Sequence, residues 1–138
     1  GIHIDSEIIK FLLTCKSLDK VVLVTDALKP TKQKHGPLLA NGEEVYLDKC
    51  FYRKSDNVIA GSALTMIDSV KNIVSYGFRL EEAIHMASTN PARIMKQDNL
   101  GVIAPGYDAD LVMLSDKLKV KYTIIKGKIY EKGKLVCA

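Results

Sequence analysis

Asp26 closes the run Val21-Val22-Leu23-Val24-Thr25, and this order of residue types is where the chain first suggests chemistry. Four branched apolar residues in succession read as a strand buried on both faces, as in a parallel sheet. A carboxylate just past the carboxyl end of such a strand stands where α/β proteins place their reacting groups, and proton transfer is what a single carboxylate offers. A side chain that simply caps the following turn is the other reading of Asp26. Metal chemistry has less to stand on. His3, His35 and His85 show neither HxH nor HxxxH spacing, and Cys15, Cys50 and Cys137 contain no CxxC pair. The odd thiol count argues against a disulfide framework and for reduced cysteines in a cytoplasmic protein.

The elements that would position Asp26 follow from hydrophobic spacing. Asp5-Ser6 caps a helix running to about Leu18, with Ile8, Phe11, Leu12 and Cys15 on its inward face. Asp19-Lys20 turns the chain into the Val21–Thr25 strand. Residues 28 to 58, punctuated by Lys29-Pro30, His35-Gly36-Pro37 and Asn41-Gly42, form a long excursion of the kind that makes lids or walls. Its second half, Glu43 to Arg53, carries Val45, Leu47, Phe51 and Tyr52 and predicts short antiparallel strands. Ile59-Ala60-Gly61-Ser62 closes the excursion. Ser62 then caps a helix with Met66, Ile67, Val70, Ile73 and Val74 inward, stopped at Tyr76-Gly77. A second helix spans about Leu80 to Ser88, with Ala83, Ile84 and Ala87 inward, and Asn90-Pro91 opens a third. From Leu100 the pattern changes to β segments at 101–103, 109–114, 120–125 and 128–130, separated by turns at Pro105-Gly106, Ser115-Asp116 and Lys126-Gly127.

Bulk properties bound the function classes. The chain has 138 residues, 47% hydrophobic and 26% charged, the balance of one ordinary globular domain. Its formal charge of +4 is scattered. The basic stretch from Lys29 to Lys34 has no interleaved aromatics, so it reads as a solvated loop rather than a nucleic-acid surface. No apolar run approaches the roughly 20 residues that cross a bilayer, and neither nucleic acid nor membrane is expected as a partner. One buried strand cannot make a parallel sheet alone, and a closed βα barrel takes about 250 residues. The chain starts at Gly1 without Met, so the expectation is the C-terminal piece of a larger enzyme.

With these segments in order, the chain resembles the C-terminal third of the N-acetylglucosamine-6-phosphate deacetylases of the amidohydrolase superfamily. The resemblance is carried by Gly1-Ile2-His3-Ile4-Asp5, Leu23-Val24-Thr25-Asp26-Ala27 and Ile59-Ala60-Gly61-Ser62-Ala63-Leu64-Thr65-Met66. It continues through Met86 to Arg93, with its Asn90-Pro91-Ala92-Arg93, through Leu100 to Val112, and to Ile125-Lys126-Gly127. The Asn-Pro-Ala and Gly-x-Ile-x-x-Gly-x-x-Ala-Asp-Leu-Val patterns identify the superfamily. Val-Thr-Asp-Ala followed some thirty residues later by Ala-Gly-Ser-x-Leu-Thr-Met is much narrower.

The resemblance implies an α/β fold, the last part of a TIM-like (β/α)8 barrel plus strands of a small β-sandwich. Residues 1–98 would hold the last βα unit, the β-hairpin insertion at about 28–58 and the C-terminal helices, and residues 99–138 the closing strands. It implies hydrolysis of N-acetylglucosamine 6-phosphate to glucosamine 6-phosphate and acetate. Asp26 would be the general acid/base at the end of the eighth strand, with His3, Ile59, Ala60 and Gly61 against the substrate. Small residues in that last segment let backbone amides approach a ligand closely. It also implies a divalent metal, of zinc or iron type, whose Glu and two His ligands are upstream and absent from these residues, and a homodimer. The isolated chain is therefore expected to bind no catalytic metal and to be inactive. His35 and His85 read as loop and helix residues, Arg93 as part of a packing motif, and Asp108 and Asp110 as turn caps. A non-catalytic module that keeps the fold for packing, or another amidohydrolase of dihydroorotase or imidazolonepropionase type, are the alternatives. The Ala-Gly-Ser-x-Leu-Thr-Met segment argues against the latter.

Overall fold

The computed structural model describes residues 1–33 and 35–137. Lys34, the last residue of the basic stretch, lies outside them. Helix α1 (Ser6–Cys15) opens on Asp5, whose carboxylate accepts the Glu7 amide at 2.8 Å, and a 3-10 turn follows at Leu18–Lys20. Strands β1 (Leu39–Ala40), β2 (Glu43–Leu47), β3 (Phe51–Arg53) and β4 (Ile59–Gly61) form an antiparallel sheet in sequence order. Helices α2 (Met66–Ser75), α3 (Leu80–Ile84) and α4 (Asn90–Ile94) come next. A second antiparallel sheet closes the described chain: β5 (Leu111–Leu114), β6 (Val120–Ile125), β7 (Lys128–Glu131) and β8 (Lys134–Cys137).

Two apolar clusters hold these parts. Leu13, Val70, Ile73, Ala83 and Met86 bury together, with Ile9, Leu18, Val21 and Leu23 against them. This fastens α1 and the Val21–Asp26 segment to α2 and α3. Ala40, Val45 and Phe51 make the second cluster under Leu28, Leu38, Ala60 and Ala63, which seats the first sheet.

Several expectations are corrected. Val21–Thr25 is extended but is assigned to no strand, and its burial is one-sided: Val21 and Leu23 meet the helices, while Val24 is 74% exposed. A strand buried on both faces needs a packed layer on each face as well as ladder partners along its edges. Among the described residues this segment has one backbone tie to α3's continuation, Leu23 N–H to Met86 O at 3.0 Å, and a parallel bridge between Ala27 and Ser62. Helix α1 ends at Cys15 and turns Leu13 inward, leaving Ile8, Phe11 and Leu12 exposed. It is apolar on more than one side, so spacing alone selected the wrong stripe.

Ser62 does not cap α2. Thr65 does, its amide (3.0 Å) and its hydroxyl both donating to Asp68. The helix expected to span Leu80–Ser88 and the one opening at Asn90 are continuous through a π turn at His85–Thr89. Asn90 is itself helical there and caps nothing, and Ile84 is part-exposed. Residues 101–103 form a bend rather than a strand. There Gly101, at φ +86°, lies so close to the helix that a Cβ would meet Ala92 Cβ at 2.8 Å. β8 was not anticipated; Lys132-Gly133, both left-handed, make the turn into it.

Candidate active site

Asp26 lies between two segments that the sequence reading treated separately. Past the extended Val21–Thr25 segment its backbone turns into the left-handed region, φ +50°. A non-glycine residue meets a cost there on the order of 1 kcal/mol, and Asp is among the residues that tolerate it best. Ser62, at the end of β4, faces this turn. Its amide donates to Asp26 O at 2.8 Å, its hydroxyl donates to Thr25 O, and its carbonyl accepts the Leu28 amide at 3.2 Å. Gly61 makes this approach possible. A Cβ on it would lie 2.7 Å from Leu28 Cδ2 and 2.9 Å from Asp26 O.

A cavity of about 400 Å³ opens beside this junction. Its wall includes His3, Thr25, Asp26, Lys49, Cys50 and Ser62. Residues up to 59 positions apart in sequence thus share one concavity, the usual setting for a small-molecule site. Asp26 is exposed to it.

The expected site residues divide. Asp26 and His3 are on the cavity wall, whereas Ile59, Ala60 and Gly61 are not. Ile59 is part-exposed, Ala60 packs on the Val45–Phe51 cluster, and Gly61 is buried against Leu28. Three wall residues escaped the sequence reading. Lys49 and Cys50 sit between β2 and β3, at the hairpin tip that reaches back to the cavity, and Ser62 is 5% exposed. The hairpin register could have signalled the first two, because Val45 to Arg53 pairs across a three-residue tip. Cys50 is buried, and its neighbouring thiol pushes the Tyr52 phenol above its ordinary range. Tyr52 also stacks on Tyr46 with ring centroids 5.5 Å apart.

Residues set aside as structural have structural partners. Asn90, fully buried, donates its amide nitrogen to Leu18 O (2.7 Å) and Val21 O (2.6 Å), and Arg93 donates to Asp19 O and approaches the Asp19 carboxylate at 3.8 Å. The Asn-Pro-Ala-Arg motif thereby clamps the turn that feeds the Asp26 segment. Asp108 accepts from Asn99 Nδ2 at 2.6 Å and Asp110 from the Lys126 amide at 2.6 Å, both turn contacts. His35 is exposed, outside the cavity wall, and His85 is half-buried.

A hydrolytic metal would need a converging donor set. Among the described residues no group of three or more His, Cys, Asp or Glu side chains is placed to hold one. Asp26 and His3 alone do not make such a set, so the residues present do not fit the metal that the sequence resemblance implies.

The fold belongs to a known class of hydrolases. The chain is a member of the amidohydrolase family, whose model matches residues 4–130, a family that is generally metal-dependent. Within it, the chain is 32% identical over 129 residues to an N-acetylglucosamine-6-phosphate deacetylase of Lysinibacillus sphaericus, covering 93% of this chain and 33% of that protein. It is 36% identical over 120 residues to a putative N-acetylgalactosamine-6-phosphate deacetylase of Escherichia coli K12, covering 86% and 72%. The crystal structure of N-acetylglucosamine-6-phosphate deacetylase from Pasteurella multocida superposes with a TM-score of 0.86 at 31% identity, over 96% of this chain and 35% of that one. The chain spans about a third of the length of most of the curated relatives it matches. The fold of those neighbours combines a TIM barrel and a β domain. The helices and two antiparallel sheets here correspond to a C-terminal portion of it.

Proposed function

We propose that this chain carries the acid/base side of an active site that hydrolyses the N-acetyl group of N-acetylglucosamine 6-phosphate, giving glucosamine 6-phosphate and acetate. The observation that carries the reading is the meeting of Asp26 and His3 on one cavity wall, at the end of the Val-Thr-Asp-Ala segment. Asp26 accepts the proton of the water that attacks the acetyl carbonyl. As the C–N bond breaks and the C–O bond remains, it returns that proton to the nitrogen, so the amine leaves neutral. His3 contacts the sugar, while Ile59, Ala60 and Gly61, off the cavity wall, enter the reading as substrate contacts through the family resemblance alone. Lys49 is the cationic side chain of the cavity wall among the described residues and suits the substrate's phosphate.

A divalent metal of zinc or iron type belongs to the reading through the family, with its ligands outside these residues. Residues 1–98 are read as the last barrel unit with its insertion and residues 99–138 as strands of the small β domain. A homodimer fits the family resemblance. Three free thiols agree with a cytoplasmic enzyme.

A second reading has one specific support. The 36% identical relative is named for the galacto epimer of the substrate. Comparing kcat/KM for the two N-acetylhexosamine 6-phosphates in the polypeptide that carries these 138 residues decides between them. In the same polypeptide, Asp26→Asn is expected to lower kcat by about 10²–10⁴-fold while sugar-phosphate binding persists. Near-normal turnover in that variant would remove Asp26 from its role.

A further inference from the structure

We propose that Ser62 is the positioning residue for Asp26, holding the acid/base carboxylate in its left-handed turn from both sides. The inference rests on the reading of Asp26 given above. Two peptide units flank the Asp26 Cα, and Ser62 grips the carbonyl of each. Its hydroxyl donates to Thr25 O, which precedes Asp26, and its amide donates to Asp26 O at 2.8 Å. These two contacts restrain φ and ψ of Asp26 together, at a φ of +50° that the residue would not otherwise favour.

The grip is itself braced. The Ser62 carbonyl accepts Leu28 N–H at 3.2 Å, and its hydroxyl oxygen accepts Leu64 N–H at 3.1 Å. Ser62 is 5% exposed, so these bonds form away from competing water. The side chain is also specific in kind. The hydroxyl both donates and accepts here, which Ala cannot do, while Thr retains both capacities. Gly61 fits the same assignment, since any Cβ there would push β4 off the Asp26 carbonyl.

Ser62 is thus expected to act through orientation of a proton-transfer group, and misplacement of such a group lowers rate rather than affinity. Ser62→Ala should lower kcat about tenfold with KM changed less than twofold, and Ser62→Thr should restore most of it. In an Asp26→Asn background, Ser62→Ala should cost less than twofold, because the group it orients is already gone. An equal cost in both backgrounds, or an unchanged kcat in the single variant, overturns the assignment. A readout independent of turnover is hydrogen exchange at the Ser62 amide, which donates to Asp26 O. Its protection should fall at least tenfold in Ser62→Ala and return in Ser62→Thr. Unchanged protection overturns the proposal even if catalysis is not seen. Conversely, failure of the unsubstituted, metal-loaded polypeptide that carries these residues together with the metal ligands to release acetate from either N-acetylhexosamine 6-phosphate refutes the functional reading and leaves the exchange test in force.

Discussion

Charge on the cavity wall is unevenly provided at the level of single residues. Asp26 supplies a carboxylate, and Lys49 stands at the tip between β2 and β3 with no carboxylate within salt-bridge distance among the described residues. A solvated ammonium that meets a ligand phosphate contributes modestly, about the range of an exposed ion pair. Lys49→Ala is therefore expected to raise KM for the phosphorylated sugar roughly twofold to fivefold and to leave kcat within twofold. Lys49→Arg should keep most of the affinity. Steady-state kinetics with the sugar phosphate and the unphosphorylated sugar separate this from a general loss of fold, since the unphosphorylated substrate should show no difference.

Caps and clamps decide the stability of the individual elements. The Asn90 side chain satisfies two backbone carbonyls that would otherwise be buried beside the helix junction. Asn90→Ala is expected to cost about 1–3 kcal/mol, read as a lower urea midpoint. At the start of α2, the Thr65 hydroxyl holds the Asp68 carboxyl below its ordinary value of 3.8, with Lys71 and Lys32 adding to the effect. Because the folded value is the lower one, the contribution is complete above the unfolded Asp value. It is lost as pH falls from there through the folded value. Thermal melting between neutral pH and pH 3 should show a steeper loss for the unsubstituted chain than for Asp68→Asn. Equal slopes would mean the cap contributes nothing.

These elements also show why part of the fold was readable in advance. The β2–β3 hairpin, α2 and β6 follow local spacing, and each lies where its apolar and turn residues predict. The Val21–Thr25 segment does not, because a run of branched residues reports that a site is suited to burial but not which neighbours bury it. The π turn at His85–Thr89 has no composition of its own, and Asn before Pro is locally ambiguous between a helix start and the clamp that Asn90 makes. The cavity residues Lys49 and Ser62 depend on contacts across 23 and 36 positions from Asp26, which spacing along one element does not encode.

Taken whole, the molecule has small interior clusters and much apolar surface. Phe11 is 68% exposed, Val24 74%, Met95 69% and Ile103 88%. Exposed apolar area of this extent promotes association. The 138-residue polypeptide in isolation is expected to self-associate with rising concentration and to bind a hydrophobic dye. Sedimentation that stays monomeric across a hundredfold range of concentration would contradict this.

The parallel bridge between Ala27 and Ser62 has a consequence for how such a protein can change over evolutionary time. Residues 28–61 leave the chain and return to it at one clipped point, so the excursion is anchored at its base independently of what its tip contains. Closing a longer loop at a fixed base costs only about 0.6 kcal/mol for each doubling of length. Lineages are thus free to lengthen, shorten or recompose the tip that bears Lys49, and a protein engineer has the same freedom. The composition of the cavity wall can drift by that route while Asp26 beneath it stays where it is.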